Sequence, residues 1–373
     1  MGKQFAELFL TDEERSTVQS NIKGVFNTMD EVLFSTKENG VATITLNHPK
    51  SINALSYHML VPIKQKLLDW EKDIGVSIVI LKGAGSKGFC AGGDMKTLYH
   101  AKQNQTAMQA AEQFFEEEYE TDQLVSQFSK PIIACLDGIV MGGGVGLSYG
   151  ASHRIVTERT KWAMPEMNIG FFPDVGAAYF LNKALGYVGR YLALTATILH
   201  AADVLYINGA EAFIPNERLT DLLNEVEETN WHSVNTEEKL QQIVDTYTEH
   251  PKHDGQIAPL QTKIDQHFSY NTVEEIIESL AADTSDFAIK TKEILLSKSP
   301  VSLKVTLKQL IEGKGKSLAA CLETDLILAK KFMKHDDFYE GVRSVLIDKD
   351  QKPQYQYKQL SDVSTAMVAS FFK

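Results

Sequence analysis

Three consecutive glycines, Gly142-Gly143-Gly144, stand between an apolar strand-like run, Ile132-Ile133-Ala134-Cys135-Leu136, and a small-residue run that reads as a helix. Glycine is unfavourable there on entropic grounds, because it has the most backbone freedom to lose on folding. Close approach offsets this. Bare N–H groups at a helix start can touch a ligand and carry the positive end of the helix dipole. A second glycine turn, Phe89-Cys90-Ala91-Gly92-Gly93-Asp94, also follows an apolar strand. Two such turns can aim two N–H groups at one oxygen, which is the geometry an oxyanion needs.

The rest of the chain fits around these turns. Residues 1–28 read as a polar, mildly amphipathic helical arm. Val32 and Phe34, then Asn39-Gly40, then Val41, Thr43 and Thr45 predict a hairpin, since Asn-Gly between alternating runs favours a tight turn. Ser56 reads as the N-cap of a helix carrying Met59, Ile63, Leu67 and Trp70 at helical spacing, with Pro62 inside it. Val76 to Leu81, Ile132 to Leu136 and Arg154 to Val156 read as strands, and Gln105 to Gln127 as a helix. Single strands alternating with helices argue an α/β chain. From about Gly176 onward nothing reads clearly as strand, and residues 273–333 are helix-rich. The expected organisation is an arm at 1–28, an α/β core at 29–225 and a helical region at 226–373.

Bulk properties exclude several classes. A net charge of −12 argues against nucleic acid or an anionic membrane as a main partner, without excluding an anionic small molecule. Three scattered cysteines, Cys90, Cys135 and Cys321, make no disulfide framework, and no Cys/His cluster suggests zinc. No run of 18 apolar residues predicts a membrane span. The start lacks a signal-peptide core and carries acids early, and Ala6 fails the myristoylation pattern after Gly2. The expectation is a cytoplasmic protein.

Gly83-Ala84-Gly85-Ser86-Lys87-Gly88 fits a dinucleotide fingerprint but lacks a helix opening inside the glycines, and no phosphate-loop pattern follows. Ala91-Gly92-Gly93-Asp94 alone is an ordinary turn with Asp94 as a helix cap. Glu166, after Pro165, and Asp174, after Pro173, are acids among apolar residues. Asp174 also reads as the N-cap of a helix from Val175 to Leu185. Two such acids eight residues apart suggest shifted pKa values and acid/base work. Cys90 reads as a small buried residue rather than a nucleophile.

At these residues the sequence resembles the crotonase (enoyl-CoA hydratase/isomerase) superfamily. The matching stretches are Asn47 to Leu55, Lys87 to Asp94, Lys130 to Ala134 and Asp137 to Gly146. Phe114 to Tyr119, Ala163 to Glu166, Ile169 to Gly176 and His335 to Asp350 are similar to the branch that hydrolyses 3-hydroxyisobutyryl-CoA. The resemblance implies a crotonase-type spiral of β-β-α repeats with an α-helical C-terminal region. It implies that the N–H groups of Gly93 and Gly143 polarise the thioester carbonyl of an acyl-CoA. It places Ala54, Ala91 and Met95 near the adenine pocket and Lys50 near the CoA phosphates, though a surface lysine reads equally as a solvated charge.

One departure selects the branch. Hydratases of this superfamily carry a glutamate at the position of Gly146 and a glycine at that of Asp174. The resemblance therefore implies a hydrolase in which Glu166 and Asp174 do the carboxylate chemistry, with Glu118 near the substrate. Which acid is base or nucleophile stays open, with Glu166 the first choice for attack on carbonyl or water. No cofactor is implied, coenzyme A being part of the substrate, and no metal. A homo-oligomer, trimeric or otherwise, stays open. The rival readings are an enoyl-CoA hydratase or isomerase and a non-catalytic acyl-CoA-binding protein.

Overall fold

Strands pair in two sheets, and the split between them builds the site. The computed structural model describes residues 30–373, so the expected arm at 1–28 lies outside the described residues. The Asn39-Gly40 turn joins β1 (Val32–Thr36) to β2 (Val41–Leu46) in an antiparallel hairpin, with Val32 opposite Leu46 and Thr36 opposite Ala42. β2 then pairs in parallel with β3 (Ile78–Gly83). From β3 onward strands come in pairs that alternate between sheets. β3, β5 (Ile132–Leu136) and β7 (His153–Val156) enter the large sheet. β4 (Gly88–Cys90), β6 (Ile139–Met141) and β8 (Lys161–Ala163) form the small one. A two-residue strand, β9 (Ala212–Phe213), closes the large sheet beside β7. The expectation of no strand after Gly176 is corrected here. Two residues are too short to display an alternating pattern, and β9 exists because β7 offers it a free edge.

The unbroken apolar runs of β3 and β5 have a simple cause. Side chains alternate across a sheet, and both faces of this one are covered. Ile78, Ile80, Ile133, Cys135 and Ile155 pack against Leu219, Leu222, Val226, Leu240 and Ile243 of the helices Asn216–Glu228 and Thr236–Tyr247. Val79, Leu81, Ile132, Ala134 and Leu136 belong to the main core on the opposite face. From Val32 to Lys373 the chain is one compact unit. The helix Asn216–Glu228 runs through the expected 225/226 division. Ser56 caps the helix Tyr57–Lys72 by accepting from the Met59 N–H, and Pro62 sits inside that helix. Among the described residues no helix is long and apolar enough to cross a membrane.

Candidate active site

The two glycine turns meet. Two of the three small-sheet strands end in one: β4 runs into Ala91–Asp94, and β6 into Gly142 and the helix Gly143–Tyr149. Gly92 has φ +98° and Gly142 φ +51°, both in the region that favours glycine. A Cβ placed on Gly92 would lie 3.5 Å from the Gly143 nitrogen, and one on Gly143 would lie 3.3 Å from the Gly93 nitrogen.

Neither nitrogen donates to a protein acceptor among the described backbone bonds. Leu55 and Gly93 form a parallel bridge in which Leu55 N–H donates to Gly92 O (2.8 Å) and Asp94 N–H donates to Leu55 O (2.9 Å). That pattern turns the Gly93 N–H to the other side. Gly143 opens its helix, where an N–H has no partner within the helix. Asn53 fixes the neighbouring loop. It is fully buried, accepts from His48 N–H, and its amide reaches the carbonyls of Ala84, Gly88 and Phe89 at 3.0–3.2 Å.

A cavity of about 430 Å³ opens over these turns, within the usual range for small-molecule sites. Ala54, Ala91, Gly93, Met95, Glu118, Gly143, Glu166 and Asp174 all line it, so the structure brings these expected residues together. Lys50 is the exception. It is exposed on the turn Pro49–Ser51, while Ser51, Ile52 and Lys96 take places in the wall. Val345 and Leu346 also line the cavity, presented by a π-helical turn, Arg343–Ile347. Such turns recur at functional sites. Arg343 ties this turn down through Glu340 (2.8 Å), Asp348 (2.6 Å) and Asp350 (2.8 Å), and its guanidinium holds the Asp350 carboxyl at about 2.

The acids converge from three directions. Glu118 comes from the helix Gln105–Gln127, Glu166 from the turn after β8, and Asp174 from the Gly170–Gly176 loop. All three are at most 5 % exposed. Glu166 Oε2 and Glu118 Oε1 have no protein partner. Burial pushes the carboxyls of Glu166 and Glu118 well above their ordinary range, and the neighbouring Asp174 adds to both shifts. Asp174 rises less, to about 7, because the Tyr119 hydroxyl donates to its Oδ2 at 2.7 Å and favours the ionised form. This corrects the expectation that Asp174 caps a helix from Val175. Gly176 is the cap residue of a short helix, Ala177–Phe180, and Asp174 Oδ2 accepts from the Tyr119 hydroxyl while the residue lines the cavity. Aromatic packing fixes the loop that carries it: Phe171 stacks on Phe115 at 5.7 Å and Phe172 on Phe332 at 5.2 Å.

Sequence reasoning missed Tyr119, Asp122, Gln309 and Asp325. Asp122 is 2 % exposed, both its oxygens lack a protein partner, and burial drives its carboxyl well up. A signal existed for two of them. Glu118, Tyr119 and Asp122 share the helix face of Ala111 and Phe115 at helical spacing, and acids on a buried face are rarely idle. Cys90 is buried, as expected. Its thiol donates to Asn53 O, and burial lifts it to about 12, so it is a poor nucleophile.

The family description "Enoyl-CoA hydratase/isomerase" matches residues 41–372. The chain is 41% identical over 346 residues to a mitochondrial 3-hydroxyisobutyryl-CoA hydrolase of Danio rerio, covering 92% of this chain and 89% of that one. The Homo sapiens protein of the same name is 40% identical over 348 residues, with the same coverage. Among solved structures, a carnitinyl-CoA dehydratase from Mycobacterium thermoresistibile superposes with a TM-score of 0.85 at 32% identity, over 92% of this chain and 97% of that one. An enoyl-CoA hydratase from Rhodobacter sphaeroides gives 0.82 at 30%, with the same coverage. The cytoplasmic expectation is overturned by these relatives, which are named as mitochondrial proteins and point to the mitochondrion. It rested on a missing pattern near the first residues, and targeting segments are recognised by loose composition that makes absence weak evidence. With the family's description spanning nearly all of the described residues and the fold shared along nine-tenths of the chain, this protein belongs to the crotonase, or enoyl-CoA hydratase/isomerase, family.

Proposed function

We propose that this enzyme hydrolyses the thioester of 3-hydroxyisobutyryl-CoA to the free acid and CoA, a step of valine breakdown. The observation that carries the reading is the match to relatives named for that hydrolysis, over 92% of this chain and 89% of theirs. The site geometry supports it. The thioester oxygen sits between the N–H groups of Gly93 and Gly143, which strengthen their hold as the carbonyl becomes a tetrahedral oxyanion. Either Glu166 draws a proton from a water that attacks the carbonyl, or it attacks the carbonyl itself and the resulting mixed anhydride is then cleaved by water. On both routes the C–S bond breaks, and CoA leaves as the thiolate and takes up the proton given by the water. Asp174 and Glu118 orient the water or the 3-hydroxyl. Ala54, Ala91 and Met95 seat the adenine end, with Lys50 toward the phosphates. The reaction consumes only water, so the reading requires no cofactor and no metal.

The hydratase reading is disfavoured by space. A Cβ on Gly146 would run into Val175 and Asp122, so a glutamate there has no room. Thiol release from 3-hydroxyisobutyryl-CoA is expected to exceed hydration of crotonyl-CoA by the purified protein. Dominant hydration would move it to the hydratases, and binding without turnover to the non-catalytic proteins. Within the site, Gly143→Ala is expected to lower turnover by at least about tenfold while the protein stays folded. The new Cβ would displace the Glu118 carboxylate and crowd the two N–H groups. Wild-type turnover in that variant would remove Gly143 from the site.

A further inference from the structure

Asp174 lies on a strained loop, and the strain has a visible restraint. Val175 has φ +51°, followed by Gly176 at φ +80°. A β-branched residue in the left-handed region is a genuine outlier and persists only where its surroundings over-determine it. Two helices of the C-terminal half supply that determination. Gln309, on the helix Pro300–Gly313, donates its amide to Pro173 O at 2.9 Å and to Asp325 Oδ1 at 2.7 Å. Asp325, on the helix Leu318–Phe332, accepts at its other oxygen from Gly176 N–H at 2.8 Å. The residues before and after Asp174-Val175 are thus held by one continuous chain of bonds. Gln309 is 2 % exposed, Asp325 fully buried, and neither lines the cavity. Apolar residues of similar volume would leave the Pro173 carbonyl and the Gly176 N–H without partners, so this carboxyl and amide hold the loop backbone at the two points that flank Asp174-Val175.

We propose that Gln309 and Asp325 are positioning residues that clamp Pro173 and Gly176, keep Val175 left-handed and so aim the Asp174 carboxylate into the cavity. The inference rests on the reading of Asp174 as a group that meets substrate or water. It also gives the helical region a role in the reaction, since the clamp reaches across 136 and 149 residues of sequence. Asp325→Asn keeps the shape but turns one acceptor into a donor, which forces the Gln309 amide to flip and lose Pro173. Gln309→Met keeps the volume and removes both bonds.

Each variant is expected to lower kcat for 3-hydroxyisobutyryl-CoA by about 10- to 100-fold, the scale of a misaimed group, with KM within about threefold. The decisive readout is a double-mutant cycle. In an Asp174→Asn background neither substitution should lower kcat by more than about twofold further, because the group they aim is already gone. Independent, multiplying losses would overturn the clamp, as would wild-type kcat in both single variants. Those two outcomes leave the function standing so long as Asp174→Asn is itself impaired. Should Asp174→Asn keep wild-type kcat, the reading of Asp174 falls first and the clamp with it. The two variants lie on different helices, so misfolding of one leaves the other to decide.

Discussion

Glu166→Gln is expected to bind acyl-CoA as the parent does and to hydrolyse it roughly 10² to 10³ times more slowly, with kcat and kcat/KM falling together. The substitution is isosteric, so the cavity keeps its shape. It removes the one property the reaction requires, a carboxylate that can attack or take a proton. Structural damage is a poor rival explanation. Glu166 Oε2 has no protein partner to lose, and the remaining amide oxygen can keep the backbone N–H that the carboxylate accepts. The burial of charge points the same way. Burial, then Asp174, disfavours the ionised form of Glu166, so a neutral amide is at least as well accommodated in the folded chain. The melting midpoint should therefore hold or rise while turnover collapses. Measured by thiol release alongside thermal unfolding, a kcat within about tenfold of wild type would move the attacking role to another acid.

What could be read in advance follows from the range of the forces involved. The glycine turns were legible because close backbone approach excludes every other side chain, and that requirement is local. The Asn39-Gly40 hairpin was legible for the same reason. Glu166 and Asp174 stood out as acids among apolar neighbours, and both line the cavity. Their partners were not legible. Tyr119 meets Asp174 from 55 residues away, and Asp325 meets Gly176 from 149. Only tertiary packing decides which helix faces that loop. From sequence Asp174 reads as a helix cap because local hydrogen bonding is the commonest fate of such a residue. Here a tyrosine hydroxyl outcompetes it. Val345 and Leu346 reach the cavity through a π turn, whose extra residue leaves no mark in a 3.6-residue pattern.

The same acids make a prediction about stability with the opposite sign. Asp174→Asn is expected to lose turnover by at least about 10², yet to stabilise the fold at pH 8 by about 2–4 kcal/mol. In the folded chain this carboxyl is pushed up to about 7 from an ordinary value of 3.8. A carboxyl raised on folding contributes stability that is fully present below its unfolded pKa and is lost as pH rises through its folded pKa. The window therefore runs from about pH 4 to about pH 7. About three pH units at about 1.4 kcal/mol each give about 4 kcal/mol, and sharing of protons with Glu118, Asp122 and Glu166 lowers the figure. Asp325, raised to about 8, extends the decline on the alkaline side. Wild-type protein should thus be more stable at pH 5 than at pH 8, with a shallower slope in Asp174→Asn. Asparagine keeps an oxygen for the Tyr119 hydroxyl, so the variant removes the buried charge without orphaning its partner. Asp122→Asn, at a carboxyl with no partner on either oxygen, should shift stability in the same direction. Chemical denaturation of the three proteins across pH 5 to 8 reads this directly. If wild-type stability instead rises from pH 5 to pH 8, these carboxylates are stabilised as charges in the folded chain, and the picture of a strained acidic site is wrong.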